Sequence, residues 1–195
     1  RLFSDNVSQG AAHVLTGLDH TLSLLVVLAS GLSLRQVVMA LTCFTLGHAA
    51  TLAASMLGGL AVSSSIVEPA IAATIVAMAF FDRWTQRRET AGAAPVPKEL
   101  RLALIFAFAL IHGLGLAGAL GSFGLDTKDR LWSLAGFNVG VELAQIGVAV
   151  VVGVLAWSLM PRGTSHWPAR MQRLASVVAI LAGSFWFVQR VAGFA

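Results

Sequence analysis

LWSLAGFNVGVELAQIGVAVVVGVLAWSL, residues 131–159, carries one charged side chain, Glu142, in its whole length. A helix needs about 20 predominantly apolar residues to cross the hydrocarbon core of a bilayer, so this stretch is long enough to span. Working outward from it, five more apolar runs fall at roughly 10–32, 36–59, 64–81, 100–121 and 174–194, each near or above the spanning length. These runs imply an all-α fold: a polytopic integral membrane protein, a bundle of about six transmembrane helices forming a single transmembrane domain over residues 1–195. In the third run Pro69 follows Glu68 near the start, where proline suits a first helical turn.

Composition agrees. Hydrophobic residues make up 57% of the 195 and charged residues 11%, where soluble domains carry about a quarter charged residues; mean hydropathy is +0.81. The formal net charge of +4 does not indicate a nucleic-acid partner, because the cations sit in short connections between apolar runs, where they set membrane orientation. Cys43 is the single cysteine, which excludes an internal disulfide and a thiolate metal cage and leaves nitrogen and oxygen as metal ligands. The chain opens on Arg1, which reads as a processed or trimmed form, and the polar stretch from Arg1 to Gln9 is expected to lie outside the membrane.

The longest connection, Asp82 to Glu99, holds Arg83, Arg87, Arg88, Pro95, Pro97 and Lys98 and reads as a solvated loop. If the spans alternate, one side carries Arg35, Arg83, Arg87, Arg88, Lys98, Arg101, Arg162, Arg170 and Arg173, the other Arg1, Lys128, Arg130 and Arg190. The richer side is expected to be cytoplasmic, which makes both termini face outward. Gly113, Gly115, Gly118 and Gly121 provide close helix contacts. Trp84, Trp132 and Trp167 suit interfacial anchoring, and His166 a solvated loop.

Ionisable groups inside a span are costly unless they pair, line a cavity or bind something. Here they are His13, Asp19 and His20 in the first run, His48 in the second, Glu68 in the third, His112 in the fourth, Glu142 in the fifth and Arg190 in the sixth. Alternating topology puts them all in the outer half of the bilayer, so one shared site opening outward is expected. On a straight helix His13 and His20 fall within about 20° of each other, with Gly17 between them, whereas Asp19 lies about 120° from His13. Asp19 then either orients His20 from the flank or reaches the site through a local distortion near Gly17. Asn138, Glu142 and Gln145 share a face, as do Thr45 and His48. Imidazole and carboxylate are the usual ligands for zinc, nickel, cobalt and iron(II). A shell of three or four ligands from His13, Asp19, His20, His48, His112 and Glu142 is expected, supported by Thr45, Asn138 and Gln145. Glu68 and Arg190 support the site or pair with each other.

The stretch GAAHVLTGLDHTLSLL at 10–25, with His13, Asp19 and His20, resembles the opening motif of the HupE/UreJ family of bacterial membrane proteins. The resemblance continues in order through FTLGHAATL around His48, VEPAIAATI from Val67, LIHGLGLAGAL around His112, FNVGVELAQIG around Glu142 and FWFVQR ending at Arg190. Ala49, Leu116 and Ala144 depart from the family's usual Ser, Phe and Gly without removing a proposed ligand. The resemblance implies a bacterial inner-membrane protein, whose outward-facing termini would then be periplasmic, of a group associated with nickel or cobalt uptake for hydrogenase and urease, with His13, Asp19, His20, His48, His112 and Glu142 as the positions that matter.

Two functions follow. The first is a permease that binds a divalent transition-metal ion, nickel or cobalt, and moves it across the inner membrane; its weakness is that the inner halves of the spans look almost purely apolar. The alternative is an intramembrane zinc-dependent hydrolase acting on a lipid or peptide, with Glu142 or Asp19 as general base. Expected partners are the metal ion and membrane lipid, with self-association into a homo-oligomer left open.

Overall fold

The computed structural model describes residues 2–120, 126–159 and 168–193. Gly121, the connection 122–125, Arg162, His166 and Trp167 lie outside the described residues. Within them the chain forms seven helices: α1 (Leu2–Thr16), α2 (Leu18–Ala29), α3 (Leu34–Gly58), α4 (Ser64–Thr90), α5 (Lys98–Leu120), α6 (Thr127–Leu159) and α7 (Ala169–Val191). Helices α3 to α7 are each long and apolar enough to cross a membrane, and α1 with α2 make a sixth candidate only as a bent pair. The protein is therefore an all-α, multi-pass membrane protein.

The first span is not the continuous helix expected over 10–32: α1 and α2 meet at 72°. The break falls at Gly17, which caps α2 with extended backbone (φ −78°, ψ 100°). Glycine is the weakest helix former after proline, by about 1 kcal/mol against alanine, and hydroxyls satisfy carbonyls around the break. Thr16 donates to the Ala12 carbonyl at 2.8 Å and Thr21 to those of Val14 and Gly17 at 3.3 and 3.2 Å. Such substitutes let non-helical backbone persist at membrane depth.

The N-terminal stretch also departs from expectation. Leu2–Gln9 is helical and lies along α6 in parallel register, Phe3 opposite Gly136 and Val7 opposite Gly140. A methyl group on Gly140 would stand 2.0 Å from the Val7 carbonyl oxygen, so backbone meets backbone there, as small residues permit in membrane helix pairs. Residues 2–9 are thus a helix packed beside α6 and not an extended tail.

Nor is 82–99 one long loop. Helix α4 runs to Thr90 and α5 begins at Lys98, leaving a short link with Pro95 and Pro97. The extension is amphipathic: Asp82 and Thr85 are buried, while Arg87 and Arg88 are exposed. Pro69 lies in the second turn of α4, not the first, so it cannot donate to the Ser65 carbonyl.

Helix α3 packs on α5, α4 on α7, and the short α2 touches α1, α3, α4, α6 and α7. One core cluster joins Val26, Val27, Ala40, Ile75, Met78 and Ile105, and another joins Val14, Leu52, Phe137 and Val141. Of the glycine series, Gly113 abuts the His48 carbonyl and Thr51, and Gly115 abuts Ile71. These contacts draw α5 against α3 and α4 and set His48 and His112 at one level.

Candidate functional site

Four imidazoles from four helices come together. The ring centres of His13 (α1) and His20 (α2) are 4.5 Å apart, His13 and His48 (α3) 5.9 Å, His20 and His48 5.7 Å, and His20 and His112 (α5) 5.3 Å. His13 and His20 meet across the bend at Gly17, not along one straight face. A methyl group on Gly17 would stand 2.7 Å from the His13 carbonyl and 3.2 Å from His20 Nδ1, so glycine is needed for space as well as for the break.

His48 is fully buried, and His20 and His112 nearly so. Phe44 and Phe137 bracket the cluster, with ring centres 5.3 Å from His112 and 5.5 Å from His13 respectively. Both belong to stretches quoted in the sequence, yet their role as walls is visible only in three dimensions.

The nitrogens matter most. His13 Nε2, His20 Nε2, both ring nitrogens of His48 and His112 Nδ1 are buried without a hydrogen-bond partner. A buried polar atom left unpaired costs about 1–3 kcal/mol, so this is a concentrated demand for a ligand. The tautomer of His112 follows from its neighbour. The Thr74 hydroxyl donates its proton to the Ile71 carbonyl at 2.7 Å, and His112 Nε2 lies 3.0 Å from the same oxygen. With its one proton committed, Thr74 Oγ1 accepts from Nε2–H, which leaves Nδ1 as a bare lone pair. Thr74 was not singled out from sequence, where a threonine in an apolar run carries no signal.

The carboxylates are arranged differently from expectation. Asp19 Oδ2 accepts from Arg190 Nη2 at 2.8 Å, and Asp19 Oδ1 is buried without a partner. Arg190 donates through Nη1 to the backbone carbonyl of Glu68 at 3.1 Å. The ion pair of Arg190 is thus with Asp19, in place of the suggested Glu68–Arg190 pair, and one guanidinium ties α2, α4 and α7. Glu142 accepts from Thr42 at 2.8 Å and, through its other oxygen, from Thr45, so Thr45 serves Glu142, and Thr42 is a further partner the sequence did not suggest. Asn138 donates to the Leu134 carbonyl at 2.8 Å, leaving its side-chain oxygen without a partner.

A cavity of about 40 Å³ adjoins the cluster, lined by His20, Ser23, Thr74, His112 and Gln145 at one end and reaching Val27, Ala40, Met78 and Ile105. A water needs about 10–15 Å³ by this measure, so the space admits a few waters or a partly hydrated ion. Among the described residues, no three His, Cys, Asp or Glu side chains stand as a ready-made metal cage.

The fold and site define a polytopic membrane protein with a lone-pair-rich imidazole cluster buried at its centre. Over residues 1–190 the chain matches the family model described as HupE / UreJ protein, and it belongs to the HupE/UreJ family. Comparison with curated proteins and with solved structures gave no match.

Proposed function

We propose that the protein takes up a divalent transition-metal ion, nickel or cobalt, at the histidine cluster and passes it across the bacterial inner membrane from the periplasmic side. The observation that carries this reading is the set of buried imidazole nitrogens without partners on four helices. A cation that accepts lone pairs would satisfy several of them at once, and imidazole suits these borderline metals. Two imidazoles on one tetrahedral metal, with bonds of about 2.0–2.1 Å, hold their ring centres about 5 Å apart; the separations of 4.5–5.9 Å in the cluster bracket that value. Turning the rings about their side-chain bonds would then complete the shell. A site that closes only around its cargo suits transport, where the ion must also leave.

The broken α1–α2 span supports the same reading, since discontinuous helices at membrane depth recur at transporter binding sites. The orientation in this proposal takes the arginine-rich side of the bundle as cytoplasmic. The hydrolase alternative has less support: Glu142 has both oxygens engaged by threonine hydroxyls and Asp19 is held by Arg190, so neither is poised as a free general base.

The test is nickel and cobalt flux into liposomes containing the purified protein, with metal analysis of the same sample. Flux that disappears in His20→Ala and His48→Ala supports the proposal. Flux unchanged by both substitutions, or tightly held zinc with no flux, overturns it.

A further inference from the structure

The inner half of the bundle is not purely apolar. Asp82, with 1% of its side chain exposed, accepts from Arg101 Nη1, and Arg101 Nη2 lies 3.4 Å from Thr85 Oγ1. The second carboxylate oxygen, Oδ2, is buried with no partner. This group lies beyond the histidine cavity along two helices at once. Met78 and Ile105 line that cavity; Asp82 follows Met78 on α4 by four residues, and Arg101 precedes Ile105 on α5 by four, about one turn in each case.

Past the pair a second cavity, of about 210 Å³, opens beside the link between α4 and α5. Its lining includes Gln36, Glu89, Lys98 and Arg101, and Ala40 lines both cavities. Glu89 is seven residues beyond Asp82 on α4, two turns along the same face. Arg101 therefore contacts the buried carboxylate of Asp82 and shares the lining of the second cavity with the exposed Glu89.

We infer that Asp82 is a second, inner cation site on the route of the metal, with Arg101 as a tethered counter-ion that occupies the carboxylate until the ion displaces it toward Glu89. The site takes a hard or borderline divalent cation, held by the Asp82 carboxylate, the Thr85 hydroxyl and water. An arginine parked on the carboxylate seals the route while the site is empty, because a bare buried carboxylate is costly in this setting. Exchange of one cation for the other never leaves the carboxylate bare, at the cost of one net positive charge while the divalent ion is bound. The inference rests on the transport reading for its physiological role, but its ligand chemistry can be tested without transport.

Nickel binding to the purified protein in detergent is measured by calorimetry, and flux in liposomes, for the wild type, Arg101→Gln, Asp82→Asn and the double variant Asp82→Asn/Arg101→Gln. Arg101→Gln removes the resident cation with which nickel competes and should show a second nickel-binding event tighter than in the wild type, one that is lost in Asp82→Asn; a single binding event in Arg101→Gln overturns the inner site, whether or not the protein transports. The double variant replaces the ion pair by neutral groups of similar shape, which leaves folding largely intact. It should keep the outer binding event and lose flux by at least about tenfold. Full flux in the double variant would make the pair a brace between α4 and α5 and overturn the inference. No flux in the wild type would refute the transport reading alone, and the second binding event in Arg101→Gln would still decide the inner site.

Discussion

Gly140→Ala and Gly147→Ala place the same methyl group on the same helix two turns apart, and their effects should differ widely. At Gly140 the new Cβ would lie 2.0 Å from the Val7 carbonyl oxygen and 2.9 Å from the Ala11 amide nitrogen; at Gly147 nothing lies within 4 Å. Real Cβ contacts essentially never fall below 3.0 Å, so α1 must retreat from α6 by about 1 Å, and the obstacle is backbone that cannot rotate away. Overpacking of well-packed sites costs about 1–3 kcal/mol, and the rigid obstacle puts Gly140→Ala at the upper end, about 3 kcal/mol. Gly147→Ala should lie within about 0.5 kcal/mol of the wild type, on the stabilising side if helix propensity shows through. The readout is unfolding in mixed detergent micelles, followed by helicity and by near-ultraviolet signal. His13 follows Ala11 by two residues, so the shift also carries an imidazole out of register; sites of this kind tolerate about 0.5 Å, and nickel affinity should fall with stability. Equal unfolding midpoints for the two variants would refute the close parallel packing of α1 on α6.

Nickel binding should weaken on acidification, because protons compete with metal for the same imidazole lone pairs; an affinity that acid leaves unchanged down to the limit of the folded state, in a binding titration, would count against histidine ligation. Thr74→Val removes the oxygen that fixes the His112 tautomer, and second-layer partners of metal ligands are worth about 10–100-fold in affinity, so a drop of about tenfold is expected, with Thr74→Ser restoring most of it. Arg190→Gln frees Asp19 to bind cargo and should tighten nickel binding while slowing flux; weaker binding instead would mean that Arg190 acts only to hold Asp19 in place. Replacing Thr42 and Thr45 together by Val strips both oxygens of Glu142 of donors and should cost about 2–4 kcal/mol of stability in the same unfolding assay, whereas an unchanged midpoint would show that water already serves that carboxylate.

The sequence made the spans legible because hydrophobicity over about 20 residues is a property of local composition. It made the meeting of His13, His20, His48 and His112 legible because buried imidazoles at one depth need a common reason. What it hid depends on shorter or longer scales. The apolar stripe Phe3, Val7, Gly10 and Val14 has helical spacing, but Asp5, Asn6, Ser8 and Gln9 between its members lower the average and make a docked helix look like a tail. The same masking hides the C-terminal turns of α4, where buried Asp82 and Thr85 sit among Arg83, Arg87 and Arg88. The Thr16–Gly17 pair was the local sign of the break, yet one glycine in an apolar run is common. The pairs Asp19–Arg190 and Glu142–Thr42 join residues 171 and 100 positions apart, and no local pattern specifies which buried carboxylate takes which partner.

The carboxylate–arginine pairs bear on how such a bundle could release what it binds. A carboxylate facing a dehydrated divalent ion in hydrocarbon would hold it too tightly to let it go, since the attraction is weakly screened there. Asp19 and Asp82 each meet an arginine, Arg190 and Arg101, so neither presents an uncompensated negative charge at rest. Between them the donors are neutral: imidazole nitrogens, the Thr74 hydroxyl and the Gln145 amide oxygen. Neutral donors bind by lone pair and geometry, and an arginine that can be displaced lets the carboxylate charge come into play only while the ion passes. On the proposed transport reading, the two arginines would govern how long the ion stays, and the histidines which ion enters.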